Sequence, residues 1–429
     1  MARPTFVRYT IVGLAMLINM LCYTDRVSIA VAGPHMRNEL GLSQAQLGLV
    51  FSIFFLAYAV AQAPWGALAD RFGARGIITI AILCWSGFTA LTGLMRGLVP
   101  MLTVRFTFGL LEAALSPATA TAFTRWVPVA ERSTSFGAYL SGGRLGAALT
   151  PPLAAVLMLR FGWRSMFVIF GAIGVPAALA WFAWFRDTPS SHSSVNTGER
   201  EIILAGTTRA SEGGADARPP WRELLRSRRL WCLLGVAFAS TFLWQFYITW
   251  FPAYLTEKRG LGLREASYYA GLPFLCGFAA TWIGGLITDY LTRRFDARRG
   301  RLYLGCAGLL LTGTLMLAGV ISPQPRAGAL LMAIAAGTID LYLGAAWSSA
   351  VEIGGRSGGA VAGLMNASSN CAGFASPALM GWVLERTKNW DAVLFAGIAS
   401  TFLATYLWTR VNREAAERPR PSIAAIRNG

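Results

Sequence analysis

Asp25 and Arg26 stand side by side within a stretch that is otherwise apolar from about residue 7 to residue 32. An ionised side chain in hydrocarbon is unfavourable, so such residues usually face a cavity or a partner. Because successive residues of an α-helix are rotated by about 100°, Tyr23 and Arg26 share one stripe with Asn19, whereas Asp25 points elsewhere. We therefore expect Arg26 and Tyr23 to line a cavity that binds an anion. Asp25 should face a neighbouring helix and serve as a proton site.

A second charged face occurs between residues 100 and 124. Arg105 and Glu112 are seven residues apart and lie on one helix face. Arginine can hold a carboxylate through two parallel hydrogen bonds and stays charged when dehydrated. We predict that Arg26 and Arg105 bind an anion and that Asp25 and Glu112 couple its binding to protons. The alternative is a static ion network that only fixes helix packing, although buried ion pairs are poor stabilisers.

The composition shows what kind of chain carries these charges. Of its 429 residues, 55% are hydrophobic and only 14% are charged, which is far outside the usual range of soluble domains. The sequence contains twelve stretches that are each near the roughly 20 apolar residues a bilayer-spanning helix requires. These predicted spans are residues 7–32, 44–69, 77–95, 100–124, 133–159, 164–186, 229–256, 266–292, 302–321, 327–351, 359–384 and 390–410. The first lacks a signal-peptide cleavage site, so we expect it to be retained.

The net charge of +17 is better explained by topology than by a nucleic-acid partner. With a cytoplasmic N-terminus, most of the 38 Lys and Arg residues fall in cytoplasmic loops and tails, which is the positive-inside pattern. The six cysteines lie within apolar stretches and show no metal-ligand spacing. We therefore expect no nucleic acid, no metal and no cofactor, and we expect both termini in the cytoplasm.

A polar stretch divides the chain into two halves. The predicted segments are a six-helix bundle at residues 1–186, a cytoplasmic loop at 187–228, a second six-helix bundle at 229–411 and a cytoplasmic tail at 412–429. A weak repeat supports this division, since residues 66–76 and 284–301 each contain a Gly, an Asp four residues later and a basic cluster. Repeated halves with a binding site between them are a recurring transporter architecture.

The first copy of this repeat resembles the signature G-x-L-x-D-R-x-G-R-R of the major facilitator superfamily. The matching residues are Gly66, Leu68, Asp70, Arg71, Gly73 and Arg75, and Gly76 replaces the last Arg. The resemblance implies an all-α membrane protein with twelve transmembrane helices in two pseudo-symmetric six-helix halves. It also implies that the loop latches the halves together, so we expect gating roles for Asp70, Arg71, Arg75 and Asp289. A simple positive-inside anchor is the alternative, and the second copy argues against it.

Longer motifs resemble the anion:cation symporter family within that superfamily. They are "YTDR", "RFTFGLLEAALSPATATAFTRWVPVAERSTSFG", "WFPAYL" and "GAVAGLMNASSNCAGFASP", and they run from span 1 to span 11. That family includes bacterial hexuronate, galactonate, glucarate, tartrate and aromatic-acid permeases, and the animal sialin and vesicular glutamate transporters. The resemblance implies an organic anion as the substrate. Arg144 in span 5 and Asp340 in span 10 depart from the family pattern.

Further candidate substrate contacts lie outside spans 1 and 4. Arg144 is flanked by small residues that leave room for a ligand group. It could pair with Asp340 across the cavity as a bridge between the halves, or be free for a second carboxylate or for the polar end of a bulky acid. Tyr247 in span 7 and the pair Asn366 and Asn370 in span 11 can hydrogen-bond substrate hydroxyls. The other aromatic residues of span 7 are more typical of packing.

These patterns predict a secondary active transporter rather than an enzyme. We expect proton-coupled uptake of a small organic anion, such as a sugar acid, by alternating access. The expected partners are the anion, protons and the lipid bilayer, and the expected form is a monomer in a bacterial inner membrane. An organic anion/phosphate antiporter and a proton-driven exporter of amphipathic compounds are alternatives. A non-transporting sensor would carry a soluble domain, for which the tail is too short.

Overall fold

The computed structural model describes residues 4–207, 221–294 and 297–413, and this part of the chain consists of helices, turns and short connections. The helices are α1 Val7–Leu40, α2 Gln44–Phe72, α3 Ala74–Thr92, α4 Leu98–Glu112, α5 Leu115–Trp126, α6 Val129–Trp184, α7 Thr197–Thr207, α8 Trp221–Arg226, α9 Arg228–Thr249, α10 Phe251–Glu257, α11 Leu263–Arg294, α12 Ala297–Ile321, α13 Pro325–Ile339, α14 Leu343–Gly354, α15 Gly358–Thr387 and α16 Trp390–Arg413. The prediction of an all-α membrane protein is confirmed.

The predicted spans correspond to these helices. In the described part of the chain, nine helical segments are long and apolar enough to cross a membrane by length and composition. One of them, α6, has 56 residues and breaks at Gly162, whose φ is 78°, so it contains the fifth and sixth predicted spans. The eighth and eleventh predicted spans fall in α11 and α15, which have 32 and 30 residues.

The fourth spans of the two halves are interrupted in the same way. In the first half, the 15 residues of α4 end at Glu112 and the 12 residues of α5 begin at Leu115. In the second half, the 15 residues of α13 are followed by a 3₁₀ turn that starts at Asp340, and the 12 residues of α14 begin at Leu343. Each break therefore carries an acidic residue near the middle of a membrane-spanning segment.

Contacts between the halves close one end of the bundle. We call the end that carries the α1–α2 loop the outer end and the end that carries the α2–α3 loop the inner end, following the predicted topology. At the outer end the Ser43 hydroxyl donates to Glu385 Oε2 at 2.6 Å, and the Ala45 backbone N–H donates to the same oxygen at 2.8 Å. Arg37 forms an ion pair with Glu257 at 3.0 Å.

Small residues bring the backbones of the two halves together below these ion pairs. A Cβ on Gly48 of α2 would lie 2.5 Å from the carbonyl oxygen of Pro377 in α15. The rings of Phe51 and Trp250 meet edge to face with their centroids 5.4 Å apart. The outer half of the interface is therefore tightly packed.

Candidate functional site

A cavity of about 630 Å³ lies between the halves. It extends from Tyr23, near the middle of α1, to Gly359 at the inner end of α15. The contacts described above close the outer end, and the lining of the cavity reaches the inner end. The lining residues are Tyr23, Arg26, Phe55, Tyr58, Gln62, Ser116, Tyr139, Leu140, Thr241, Trp244, Gln245, Ile248, Trp347, Gly359, Ala362, Gly363, Asn366, Ser369 and Asn370.

Arg26 places a guanidinium group in the wall of this cavity. Its Nε donates to Glu112 Oε1, and its guanidinium carbon lies 4.5 Å from the centroid of Tyr58 and 5.0 Å from those of Tyr23 and Phe54. Aromatic faces attract a cation, so these rings hold the group in place. Among the described residues, no protein group accepts a hydrogen bond from Nη1 or Nη2 of Arg26. Two donors are thus available to an anion.

Glu112 lies directly behind Arg26 and is completely buried. Its Oε1 accepts from Arg26, whereas Oε2 has no hydrogen-bond donor among the described residues. The break between α4 and α5 lets Glu112 meet α1 at this point. Arg105 is a second, more weakly interacting counter-charge, and a carboxylate buried in this way depends on its counter-charges to remain ionised.

Asp25 points away from the cavity, in keeping with its rotation from Arg26 along the helix. Its buried side chain faces Trp85 and Thr89 of α3 and interacts electrostatically with Glu112 and Arg105. Asp25 and Glu112 therefore belong to one buried charge cluster, although only the Arg26 side of that cluster is in contact with the cavity.

Arg105 is not among the residues that line the cavity. It is 3% exposed, its guanidinium carbon lies 5.3 Å from the ring of Phe54 and 4.6 Å from that of Phe108, and its Nε has no acceptor among the described residues. Gly109 allows the backbone of α2 to approach α4 closely, which brings Phe54 over the arginine. The expectation that Arg105 touches the substrate directly is therefore not met in this conformation.

Tyr247 is also absent from the cavity wall. Its buried hydroxyl donates to the carbonyl oxygen of Met332 at 2.8 Å and contacts Met316 Sδ at 3.1 Å. The direct substrate contact of Tyr247 stays a prediction, since in this conformation α12 and α13 already occupy its polar group. Asn366 and Asn370 do line the cavity, and Asn366 donates to Gln62 Oε1 across the halves at 3.3 Å.

Sequence reasoning missed a row of hydroxyl groups in the first half. The hydroxyls of Tyr58 and Ser116 are 3.2 Å apart, and those of Ser116 and Tyr139 are 3.5 Å apart. All three line the cavity next to Arg26. Tyr58 and Tyr139 are polar aromatic residues inside predicted spans, and this was the signal that could have found them.

Arg144 and Asp340 pair across the two halves. Arg144 Nη2 lies 2.8 Å from Asp340 Oδ1 and 2.7 Å from Oδ2. The Arg144 guanidinium carbon also lies 4.3 Å from the ring of Trp244. A Cβ on Gly277 of α11 would lie 2.4 Å from Asp340 Oδ2, so a glycine is needed where this carboxylate meets α11. Of the two alternatives for Arg144, the inter-half bridge is the one present in this conformation.

The predicted gating residues surround the α2–α3 loop at the inner end. The Thr121 hydroxyl of α5 donates to Asp70 Oδ1 at 2.8 Å. The Arg75 backbone N–H donates to Asp187 Oδ1 at 3.1 Å, and the Arg75 guanidinium donates to the Phe182 carbonyl oxygen. Asp187 was not identified from the sequence.

The other two predicted gating residues are Arg71 and Asp289. The guanidinium carbon of Arg71 lies 5.1 Å from the ring of Phe72. The side chain of Asp289 lies outside the described residues. The gating roles of both residues stay predictions.

Residues 15–360 match the family model described as Major Facilitator Superfamily. The chain belongs to this superfamily. Two crystal structures support the same two-half fold. The chain aligns with an inward-facing, unoccupied bacterial homologue of the human lysosomal transporter Spinster at a TM-score of 0.77 and 22% identity, covering 97% of this chain and 100% of that one. It aligns with a D-xylose-proton symporter at a TM-score of 0.70 and 15% identity, covering 93% and 97%.

Relatives of higher identity are transporters of organic acids. The chain is 34% identical over 390 residues to the probable sulfoacetate transporter SauU of Cupriavidus necator, covering 90% of this chain and 89% of the relative. It is 30% identical over 416 residues to the probable galactarate/D-glucarate transporter GudP of Bacillus subtilis, covering 92% and 90%. It is 30% identical over 376 residues to a probable L-galactonate transporter of Escherichia coli, covering 87% and 82%.

These findings confirm several predictions. The chain is a multi-pass membrane transporter of the superfamily and not an enzyme. Its relatives match the anion:cation symporter family of acid permeases that its motifs resemble.

Proposed function

We propose that this protein takes up a small organic anion together with protons across a bacterial inner membrane, as a monomer with both termini in the cytoplasm. The relatives suggest a compact hydrophilic acid such as a sugar acid or a sulfonated acid. The single observation that carries this proposal is the position of Arg26. It presents two unused donors to the cavity while its Nε holds a completely buried carboxylate, Glu112.

The arrangement couples the anion to a proton through competition for one guanidinium group. When a substrate carboxylate binds the free donors of Arg26, it shares the positive charge that Glu112 needs. Oε2 of Glu112 accepts no hydrogen bond in the described part of the chain, and the Cys22 thiol beside the carboxylate is only a weak donor. The buried carboxylate is therefore poorly stabilised once the charge of Arg26 is shared. Glu112 then takes up a proton, and the cavity binds the anion and the proton together.

Asp25 and Arg105 extend this competition beyond the cavity. Arg105 interacts with both Glu112 and Asp25, and it is sealed from the cavity by Phe54. When Glu112 is protonated, Arg105 can pair more closely with Asp25. When Glu112 is ionised, the two acids share the arginine. In this proposal Asp25 is a second proton-binding site. Arg105 links the two acids electrostatically.

Uptake into proteoliposomes tests the proposal. Sulfoacetate, galactarate and D-galactonate are supplied outside vesicles that contain the purified protein, with an acidic exterior as the only driving force. We expect at least one acid to accumulate above its external concentration, and a protonophore to abolish the accumulation. Equal exchange of acid for internal phosphate, with no effect of the protonophore, would contradict symport and favour the antiporter.

A further inference from the structure

We propose that Arg26 and Arg144 together bind a substrate with two acidic groups, and that Asp340 occupies the place of the second acidic group on Arg144 in the substrate-free carrier. This inference rests on the proposed function, because it names the substrate class for the same cavity. It assigns a role to the two charged residues that depart from the family pattern.

The two arginines flank the same aromatic side chain. The guanidinium carbon of Arg26 lies 5.0 Å from the ring centroid of Tyr23, and Tyr23 also interacts electrostatically with Arg144. Gly143, the neighbour of Arg144 in the sequence, lies so close that a Cβ there would be 2.7 Å from the Tyr23 ring. Because both arginines are near one ring, a compact molecule can reach both of them.

Arg144 has hydrogen-bonding capacity that the protein does not use. Both oxygens of Asp340 approach the same nitrogen, Nη2. Among the described residues, Nε and Nη1 of Arg144 donate to no protein acceptor. Its side chain is 20% exposed and lines an adjoining cavity of about 310 Å³, which shares Tyr23 and Asn366 with the lining of the first cavity. A substrate acid can therefore form the two-nitrogen contact that strong arginine–carboxylate pairs use.

Asp340 has the same relation to Arg144 that Glu112 has to Arg26. Each acid is buried at the break in the fourth span of its half. Each is paired with an arginine that retains unused donors towards the cavity. The pairs differ in that the Arg144 pair joins the two halves. A substrate with two acidic groups would compete with Glu112 for Arg26 and with Asp340 for Arg144. It would loosen the bridge between the halves only when its second acidic group reaches Arg144.

Two matched pairs of acids test this inference by binding to the full-length protein in detergent, measured by calorimetry. Galactarate carries a terminal carboxylate where D-galactonate carries a hydroxymethyl group, and sulfoacetate and isethionate differ in the same way. We expect the diacid of at least one pair to bind wild type roughly ten- to hundredfold more tightly. Arg144→Gln should remove most of this preference and leave binding of the monoacid nearly unchanged.

Asp340→Asn should have the opposite effect, because it removes the group that competes with the substrate. We expect it to tighten binding of the diacid, whereas a general loss of folding would weaken it. The double variant Arg144→Gln/Asp340→Asn leaves no unpaired charge and should bind like Arg144→Gln. Arg326→Gln, which breaks an ion pair of a largely exposed arginine in the second half, is the control and should bind like wild type.

The outcomes separate this inference from the proposed function. An unchanged diacid preference in Arg144→Gln, or equal binding of diacid and monoacid by wild type, would overturn the two-arginine site while leaving anion transport through Arg26 in place. Failure of all four acids to bind wild type would overturn both. A static bridge predicts weaker binding of both acids in Asp340→Asn as well as in Arg144→Gln, with no change in preference.

Discussion

Arg26 is the residue on which the account of anion binding depends. It is fixed by three aromatic rings and one carboxylate, yet two of its donors are unused by the described protein groups. The guanidinium group already forms part of the cavity wall. An anion can therefore bind it with little rearrangement of the side chain. Arg105 is equally charged but lies behind Phe54, so the two arginines should behave differently when they are replaced.

Replacing Arg26 by Gln should weaken substrate binding roughly ten- to hundredfold, or about 1.5–3 kcal/mol, because a charge-assisted contact is lost. Calorimetry in detergent with the acid that the wild type accumulates measures this change. Arg326→Gln provides a matched control in which the removed charge is far from the cavity lining. Binding by Arg26→Gln as tight as that by wild type would show that Arg26 is structural.

The sequence was sufficient to predict that these charged residues lie inside membrane spans and which helix faces they occupy. It did not reveal all of the groups that they contact. Helix rotation separated Asp25 from Arg26 because it depends only on spacing along one helix. The same rotation could not reveal that Phe54 covers Arg105, or that Met332 accepts from Tyr247. Those contacts depend on how separate helices pack, which no local spacing determines.

At the scale of the elements, the interrupted fourth spans place the acids. Hydrophobicity predicted each span as one continuous helix, and its approximate bounds agree with the structure. The breaks after Glu112 and before Leu343 were not predicted, although the sequence carries a local signal at each. Pro117, in the first turn of α5, has no N–H to donate to the carbonyl oxygen of Ala113, and Gly344 directly follows Leu343.

The α2–α3 loop gives an element-scale prediction. Gly73 has a φ of 84°, and a Cβ there would lie 2.6 Å from the carboxylate of Asp187. We expect Gly73→Ala to lower the thermal midpoint of the detergent-solubilised protein, with a cost of about 1–3 kcal/mol from backbone strain alone. Gly76→Ala, in the following helix, meets no atom within 4 Å and is the control. Equal stability of both variants and wild type would refute the proposed constraint on this loop.

In the whole molecule, contacts between the two halves hold the outer end closed. Glu385 accepts hydrogen bonds from Ser43 and Ala45 of the other half. Glu385→Gln should weaken this closure because a charged acceptor is replaced by a neutral one. We expect a cysteine introduced at Phe51, which is buried against Trp250 in the closed interface, to be labelled faster in this variant by a membrane-impermeant reagent. Glu265→Gln, which breaks a contact within one half, should leave labelling unchanged, and equal labelling in both variants would contradict the role of Glu385.

Transport of the anion is coupled to a proton through Glu112 in the proposed function, and Glu112→Gln tests this coupling most directly. Glutamine mimics the protonated acid, so a loaded carrier should still reorient, but it can no longer release a proton. Uptake driven by a pH gradient and exchange of labelled for unlabelled acid are measured in the same proteoliposomes, with Glu265→Gln as the control. We expect Glu112→Gln to lose accumulation against the gradient and to retain exchange. Accumulation by Glu112→Gln at the level of the wild type would contradict this coupling.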